Sequence, residues 1–104
     1  MSVIMIYITA SHIEEAEEIS KALVTEKLVA CTNILPNMRS AYIWEGEYTE
    51  SEEIILLAKT TADKFDAVEA RVKEIHSYDC PCIISLSIDQ GHTPYLEWLQ
   101  NSVL

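Results

Sequence analysis

Residues 29–60 read VACTNILPNMRSAYIWEGEYTESEEIILLAKT. "VACTNILP" at 29–36 is a β-forming run, and "RSAYIW" at 39–44 resumes it. "EGEYTE" at 45–50 supplies a turn around Gly46, and "EEIILLAKT" at 52–60 is the returning strand. Pro36 and Asn37 interrupt the first run, which predicts a bend or bulge within one long strand. The near-continuous apolar run of the return strand predicts a central position in a sheet. A hairpin that outgrows its own sheet exposes strand edges, and edges pair with other chains.

Working outward, "VIMIYIT" at 3–9 reads as a buried strand. A helix follows in "SHIEEAEEISKALVTEKL", with Ser11 and Glu14 spaced as a capping box. Ala16, Ile19 and Leu23 form its apolar stripe, while Glu14, Glu15, Glu17, Glu18 and Lys21 cover the remainder. Beyond the hairpin, Phe65, Val68, Val72 and Ile75 make one face of a helix over 62–76. "CIISLSI" at 82–88 is a last strand, and Thr93 and Pro94 look like the N-cap and first residue of a short helix, "YLEWLQNS". The order β-α-β-β-α-β plus a terminal helix is α+β, the ferredoxin-like arrangement. Each helix has one apolar stripe, so the helices are expected to cover one sheet face. The other face then lacks a cover, which predicts self-association through the hairpin.

The 104 residues predict one domain over 1–104. Seventeen acids against seven bases give a net charge of -10, which argues against nucleic acid and against anionic membrane surfaces. The N-terminus shows no signal-peptide pattern, and three cysteines fit reduced thiols, so the expected location is the cytoplasm.

Most of the candidate chemistry lies in "IHSYDCPCIIS" at 75–85. Pro81 biases Cys80 toward extended geometry, so His76 and Cys80 are not helix neighbours despite their spacing. Cys80 and Cys82 then point to one face about 6.5–7 Å apart at Cα, the upper edge of disulfide geometry. Three readings stay open: His76, Cys80 and Cys82 as a soft metal site for copper(I) or zinc, the two cysteines as a redox pair, or both cysteines as small buried hydrophobes beside a strand. Cys31 is a further thiol, read as core on its own strand. Lys59 ends an apolar strand, where it pairs with a carboxylate, binds an anion or snorkels to solvent. Tyr42, Trp44, Tyr95 and Trp98 form an aromatic set, read as packing or as a ligand cleft. His12 and His92 read as exposed. No phosphate-binding loop, H-E-x-x-H or nucleophile elbow is present.

"KLVACTNILP", "SAYIWEGE", "EEIILLAKT", "IHSYDCPCI" and "QGHTPYLEWL", in this order and spacing, resemble the CutA divalent-cation-tolerance family over essentially the whole chain. The resemblance implies a tight homotrimer built like the PII signalling proteins, with long hairpins crossing subunit boundaries. It implies tolerance to copper and other divalent metals and no enzymatic reaction. The matching positions are Cys31, Asn33, Pro36, Tyr42, Trp44 and Gly46, then Glu53, Lys59, His76, Tyr78 and Pro81, and finally Gly91, Tyr95 and Trp98. Several of these line clefts between subunits in the family, and His76 is the position most like a metal-contacting residue. The family's H-P-Y-E-x-P-E-I is altered here: Ser77 replaces the proline, Asp79 the first glutamate and Cys82 the second, while Cys80 fills the variable position. The lost glutamate removes a hard ligand and the gained thiol softens the site. The resulting expectation is a metal-response trimer with metal candidates His76, Cys82, Cys80 and Cys31, and cleft candidates Lys59, Tyr42, Trp44, Glu53, Tyr78, Tyr95 and Trp98. Copper or zinc are the optional ions; no cofactor is obligatory. The alternatives are a PII-like small-molecule sensor acting through an unidentified partner protein, and an enzyme using Lys59 and His76.

Overall fold

The structure is a computed structural model that describes residues 2–104. Its elements are β1 (Val3–Ala10), α1 (Ile13–Thr25), β2 (Cys31–Trp44) and β3 (Glu47–Thr61), then a 3₁₀ turn (Ala62–Lys64), α2 (Phe65–Ile75), β4 (Ile83–Ser87) and α3 (Thr93–Ser102). The strands form one antiparallel sheet in the order β2-β3-β1-β4, the split β-α-β topology. β3 is interior, as its apolar run requires.

Side chains alternate across a strand, so each residue's parity fixes its face. Ile4, Ile6 and Ile8 of β1 stand opposite Thr60, Ala58 and Leu56 of β3. These isoleucines, with Leu56 and Ala58, pack under Ile19 and Leu23 of α1 and Val68 and Val72 of α2; Phe65 and Ile75 border that core. Full burial of each such isoleucine, leucine or valine side chain is worth about 1.5–3 kcal/mol. Thr60 is tolerated there because its hydroxyl donates to the Leu28 carbonyl at 2.8 Å.

The other face carries Met5, Tyr7, Thr9, Ile55, Leu57, Lys59, Ile84 and Leu86. The expectation that every helix covers the first face needs correction. The α3 residue Tyr95 hydrogen-bonds Cys31 and Lys59, which belong to the second face, so α3 lies there. Leu99 and Val103 are buried but stand outside the core under α1 and α2. The cover is partial: Ile84 and Leu86 remain half exposed.

Several element ends also differ from the sequence reading. His12, not Ser11, caps α1: its Nδ1 accepts the Glu15 N–H at 3.2 Å. Ser11 donates its backbone N–H and its hydroxyl to Glu15 Oε1, both at 2.9 Å. The reciprocal carboxylate is therefore Glu15 rather than Glu14, and Glu15 is 6% exposed instead of facing solvent. The segment 62–64 is a 3₁₀ turn before α2 begins, β4 is shorter than expected, and α3 starts at Thr93 with His92 as its cap.

β1 stops at Ala10 opposite Ile54, so among the described residues 38–44 and 47–53 pair only with each other. This two-stranded ribbon stretches the molecule to 46 × 26 × 22 Å. Its tip is a two-residue turn with Glu45 at φ 51° and Gly46 at φ 82°. Both lie in the left-handed region, the pairing whose twist suits a tight hairpin.

Candidate functional site

The break at Pro36 and Asn37 sets the geometry of the site. Leu35 pairs with Ile55, but the next pair is Met38 with Glu53, so β2 advances three residues while β3 advances two. One extra residue in β2 reverses its parity. Asn37, at φ 67°, absorbs the distortion in a conformation asparagine accepts. Before the bulge, odd-numbered β2 residues share a face with Lys59 and Leu57; after it, Ser40, Tyr42 and Trp44 do. The bulge thereby puts Tyr42 and Trp44 on the face that also carries Thr9, Ser51 and Glu53.

An open cleft of about 660 Å³ lies there. The ribbon contributes Tyr42, Trp44, Ser51 and Glu53; β1 contributes Thr9; the segment after α2 contributes Tyr78, Asp79, Cys80 and Cys82. That segment is tied down by four hydrogen bonds. His76 Nε2 donates to the Thr9 carbonyl at 2.7 Å, and its Nδ1 accepts the Tyr78 N–H at 3.0 Å. Ser77 N–H donates to Glu15 Oε2 at 2.7 Å, and the Tyr78 hydroxyl donates to Glu53 Oε2 at 2.8 Å. The other Glu53 oxygen accepts from Ser40 Oγ at 2.5 Å. The Glu15 carboxylate, which also lies 3.9 Å from His76 Nδ1, is the hub joining the start of α1 to this wall.

Electrostatics follow from this packing. Burial works to raise the Glu15 pKa, but hydrogen bonds from Ser77 and Ser11 outweigh it and hold the carboxyl at about 2. Burial, then the hydrogen bond and charge of Glu53, push the Tyr78 phenol up to about 12, so it remains a donor at neutral pH. Burial and the Glu53 charge also raise the Cys82 thiol, which disfavours its thiolate when no cation is bound.

The cleft brings together Tyr42, Trp44, Glu53, Tyr78, Cys80 and Cys82 from the candidate residues. The others lie elsewhere. His76 stands behind the wall with its side chain fully shielded and both ring nitrogens engaged, so within one chain it has no lone pair left for a metal. Cys31 sits beside Lys59, across from Met5, four residues down β1 from Thr9, or about 13 Å along the strand. There its Sγ meets the Tyr95 hydroxyl at 3.4 Å; the same hydroxyl lies 3.3 Å from Lys59 Nζ, and Trp98 packs against the Tyr95 ring at 5.6 Å. Cys31 is half-buried rather than core, and Lys59 pairs with a phenol rather than a carboxylate. Hydrogen bonding to Cys31 and burial raise the Tyr95 pKa against the opposing effect of Lys59. Among the described residues no group of three or more His, Cys, Asp or Glu side chains is placed to hold a metal ion. The set His76, Cys80, Cys82 and Cys31 is thus not a ligand group within one chain.

Sequence reasoning missed Thr9, Ser51 and Asp79 as cleft residues, and Glu15 as the anchor of its wall. The first two are ordinary strand residues until the register is known. Glu15 carries one weak signal, the serine four positions before it.

The CutA1 divalent ion tolerance protein family matches residues 4–102. The divalent-cation tolerance protein CutA of Thermus thermophilus is 44% identical over 98 residues, covering 94% of this chain and 95% of its own. The solved CutA1 structure from Thermus thermophilus superposes with a TM-score of 0.93 at 43% identity, over 96% of this chain and 97% of that one. CutA1 from Oryza sativa gives a TM-score of 0.98 at 38% identity, over 100% of this chain and 95% of that one. The Archaeoglobus fulgidus structure, described as a periplasmic divalent cation tolerance protein, gives 0.95 at 41% identity, over 98% and 99%. No helix among the described residues is long and apolar enough to cross a membrane. With sequence and fold matching from the first strand to the terminal helix, the chain belongs to the CutA1 divalent ion tolerance family.

Proposed function

We propose that the protein acts as a cytoplasmic homotrimer that responds to divalent or soft metal ions, copper or zinc, by holding them at clefts shared between subunits, without catalysing a reaction. The observation that carries this reading is the ribbon. It projects beyond the sheet, leaves Ile43, Trp44 and Tyr48 about two-thirds exposed, and forms one wall of the cleft. An isolated two-stranded ribbon is marginally stable in water, so a neighbouring copy that covers it supplies missing stability. The same copy adds donors that one chain lacks. Cys80 and Cys82 are the soft donors in the cleft and Asp79 and Glu53 the oxygen donors. His76 contributes by positioning the wall rather than by ligation.

Native mass spectrometry of protein exposed to copper or zinc tests both halves of the proposal in one spectrum. The expected result is a trimer carrying metal, with metal content falling in Cys82→Ala and the trimer preserved. Equal metal in wild type and Cys82→Ala removes this thiol from the ligand set, and a monomer removes the shared cleft.

A further inference from the structure

Outside the cleft, Cys31 and Lys59 bring a thiol and a primary amine together. They are direct register partners on the neighbouring strands β2 and β3. Directly opposed residues hold their Cβ atoms about 4.5–5.5 Å apart on one face of a sheet. The Tyr95 hydroxyl, carried over them by α3, joins the pair: it lies 3.4 Å from Cys31 Sγ and 3.3 Å from Lys59 Nζ. The ammonium also stands 5.5 Å from the centre of the Tyr95 ring. Strand register and the packing of α3 set this arrangement inside a single chain, so it needs no second copy.

This pairing has a specific chemistry. Cys31 is half-buried, and the ammonium beside it stabilises the negative sulfur in the transition state for attack on a peroxide. The sulfenic acid that results forms a disulfide with another thiol, forms an S–N bond with a nearby nitrogen, or is oxidised further to sulfinic acid. Cys80 and Cys82 line the cleft, and Cys31 sits about 13 Å down the strand from it. The nucleophile at hand is Lys59, whose flexible four-carbon stem lets Nζ swing to the sulfur while the strands stay in place.

We propose that Cys31 and Lys59 form a peroxide-responsive modification site that closes a reversible sulfenamide bond between β2 and β3. The sulfur attacks hydrogen peroxide, the O–O bond breaks, and Cys31 becomes a sulfenic acid as one water leaves. Lys59, after releasing its ammonium proton to solvent, attacks the sulfur with its lone pair. The S–O bond breaks, the departing hydroxide takes the proton that the nitrogen gives up, and a second water leaves. One thiol, one amine and one peroxide thus become one S–N bond and two waters; sulfur loses two electrons and the peroxide gains them. Closure cancels the Lys59 charge and withdraws both groups from the Tyr95 hydroxyl, which weakens the hold of α3 on the sheet. A thiol reductant reopens the bond. The site lies outside the cleft and does not depend on the metal reading.

The test uses the full chain with Cys80→Ser and Cys82→Ser, which leaves Cys31 as the sole thiol, in whatever assembly it forms. Hydrogen peroxide is added, and intact and tryptic masses are read under denaturing, non-reducing conditions. The expected product is a single chain lighter by two hydrogen atoms. Trypsin no longer cuts it after Lys59, and the peptides 28–39 and 40–64 emerge joined until dithiothreitol separates them. Lys59→Arg keeps the charge but offers no nucleophilic amine; there the joined species is absent and Cys31 proceeds to sulfinic acid. Tyr95→Phe, with far-UV circular dichroism unchanged, slows joining about threefold, the cost of one positioning hydrogen bond. Sulfinic acid or unreacted thiol in the parent chain, a Cys31–Cys31 dimer, or an equally light product in Lys59→Arg overturns the proposal. An unaltered rate in Tyr95→Phe overturns the positioning role of its hydroxyl.

Discussion

The Glu15 carboxylate accepts hydrogen bonds from Ser11 and from the Ser77 backbone while almost closed off from solvent. Its pKa of about 2 lies below the ordinary 4.5. A depressed carboxyl stabilises the fold fully above the unfolded value and loses that contribution as pH falls toward the folded one. The difference corresponds to about 3 kcal/mol. Urea unfolding at a series of pH values is therefore expected to show stability falling between pH 4.5 and 2, with a flatter profile in Glu15→Gln. The same variant is expected to lose a few kcal/mol at pH 7, because buried donors from Ser77 and Ser11 lose their charged acceptor. Thr61 presents the opposite case. Its hydroxyl is buried with no hydrogen-bond partner among the described residues. Thr61→Val keeps the shape and removes the unsatisfied group, so thermal unfolding is expected to show a gain of about 1 kcal/mol.

At the scale of elements, one extra residue in β2 decides which side chains meet the cleft. Deleting Asn37 is expected to restore regular pairing and return Tyr42 and Trp44 to the opposite side of the ribbon. The readout is Trp44 emission and its quenching by iodide in the Trp98→Phe background. Unchanged emission and quenching would mean that the ribbon slips register and keeps its original face. The hairpin tip is a separate device: nothing lies within 4 Å of a Cβ built on Gly46, so the demand for glycine there is conformational and not steric. The wall after α2 depends on three elements together, since Glu15 of α1, Thr9 of β1 and Glu53 of β3 each hold one of its groups.

The whole molecule is longer than its chain length requires. Its radius of gyration is 14.4 Å, against about 13 Å for a compact domain of this size. The excess is the ribbon, which among the described residues pairs with nothing beyond itself and exposes Ile43, Trp44 and Tyr48. The half-exposed Ile84 and Leu86 add apolar surface that α3 does not reach. Light scattering is expected to report three times the mass of one chain. Ile43→Asp, which places a charge on the ribbon, is expected to lower that mass or the melting temperature of the assembly. A wild-type particle with the mass of one chain would end the trimer reading.

The order of elements along the chain, the interior place of β3, the apolar stripes of α1 and α2 and the existence of a break at residues 36–37 were legible in the residues. Each follows from local alternation or helical periodicity, which a chain carries wherever it folds. The aromatic and cysteine members of the cleft were legible as candidates, because such residues are conspicuous in a sequence with few chemical motifs. Their grouping was not. Which candidates share the cleft depends on how many residues the bulge leaves unpaired, and only pairing with β3 fixes that count. The shielding of His76 and the inward turn of Glu15 depend on partners 67 and 62 residues away in the chain. The position of α3 on the second face has the same origin: an apolar stripe demands burial but does not specify which surface provides it. Periodicity sets what each element must bury, and the assembled sheet sets against what.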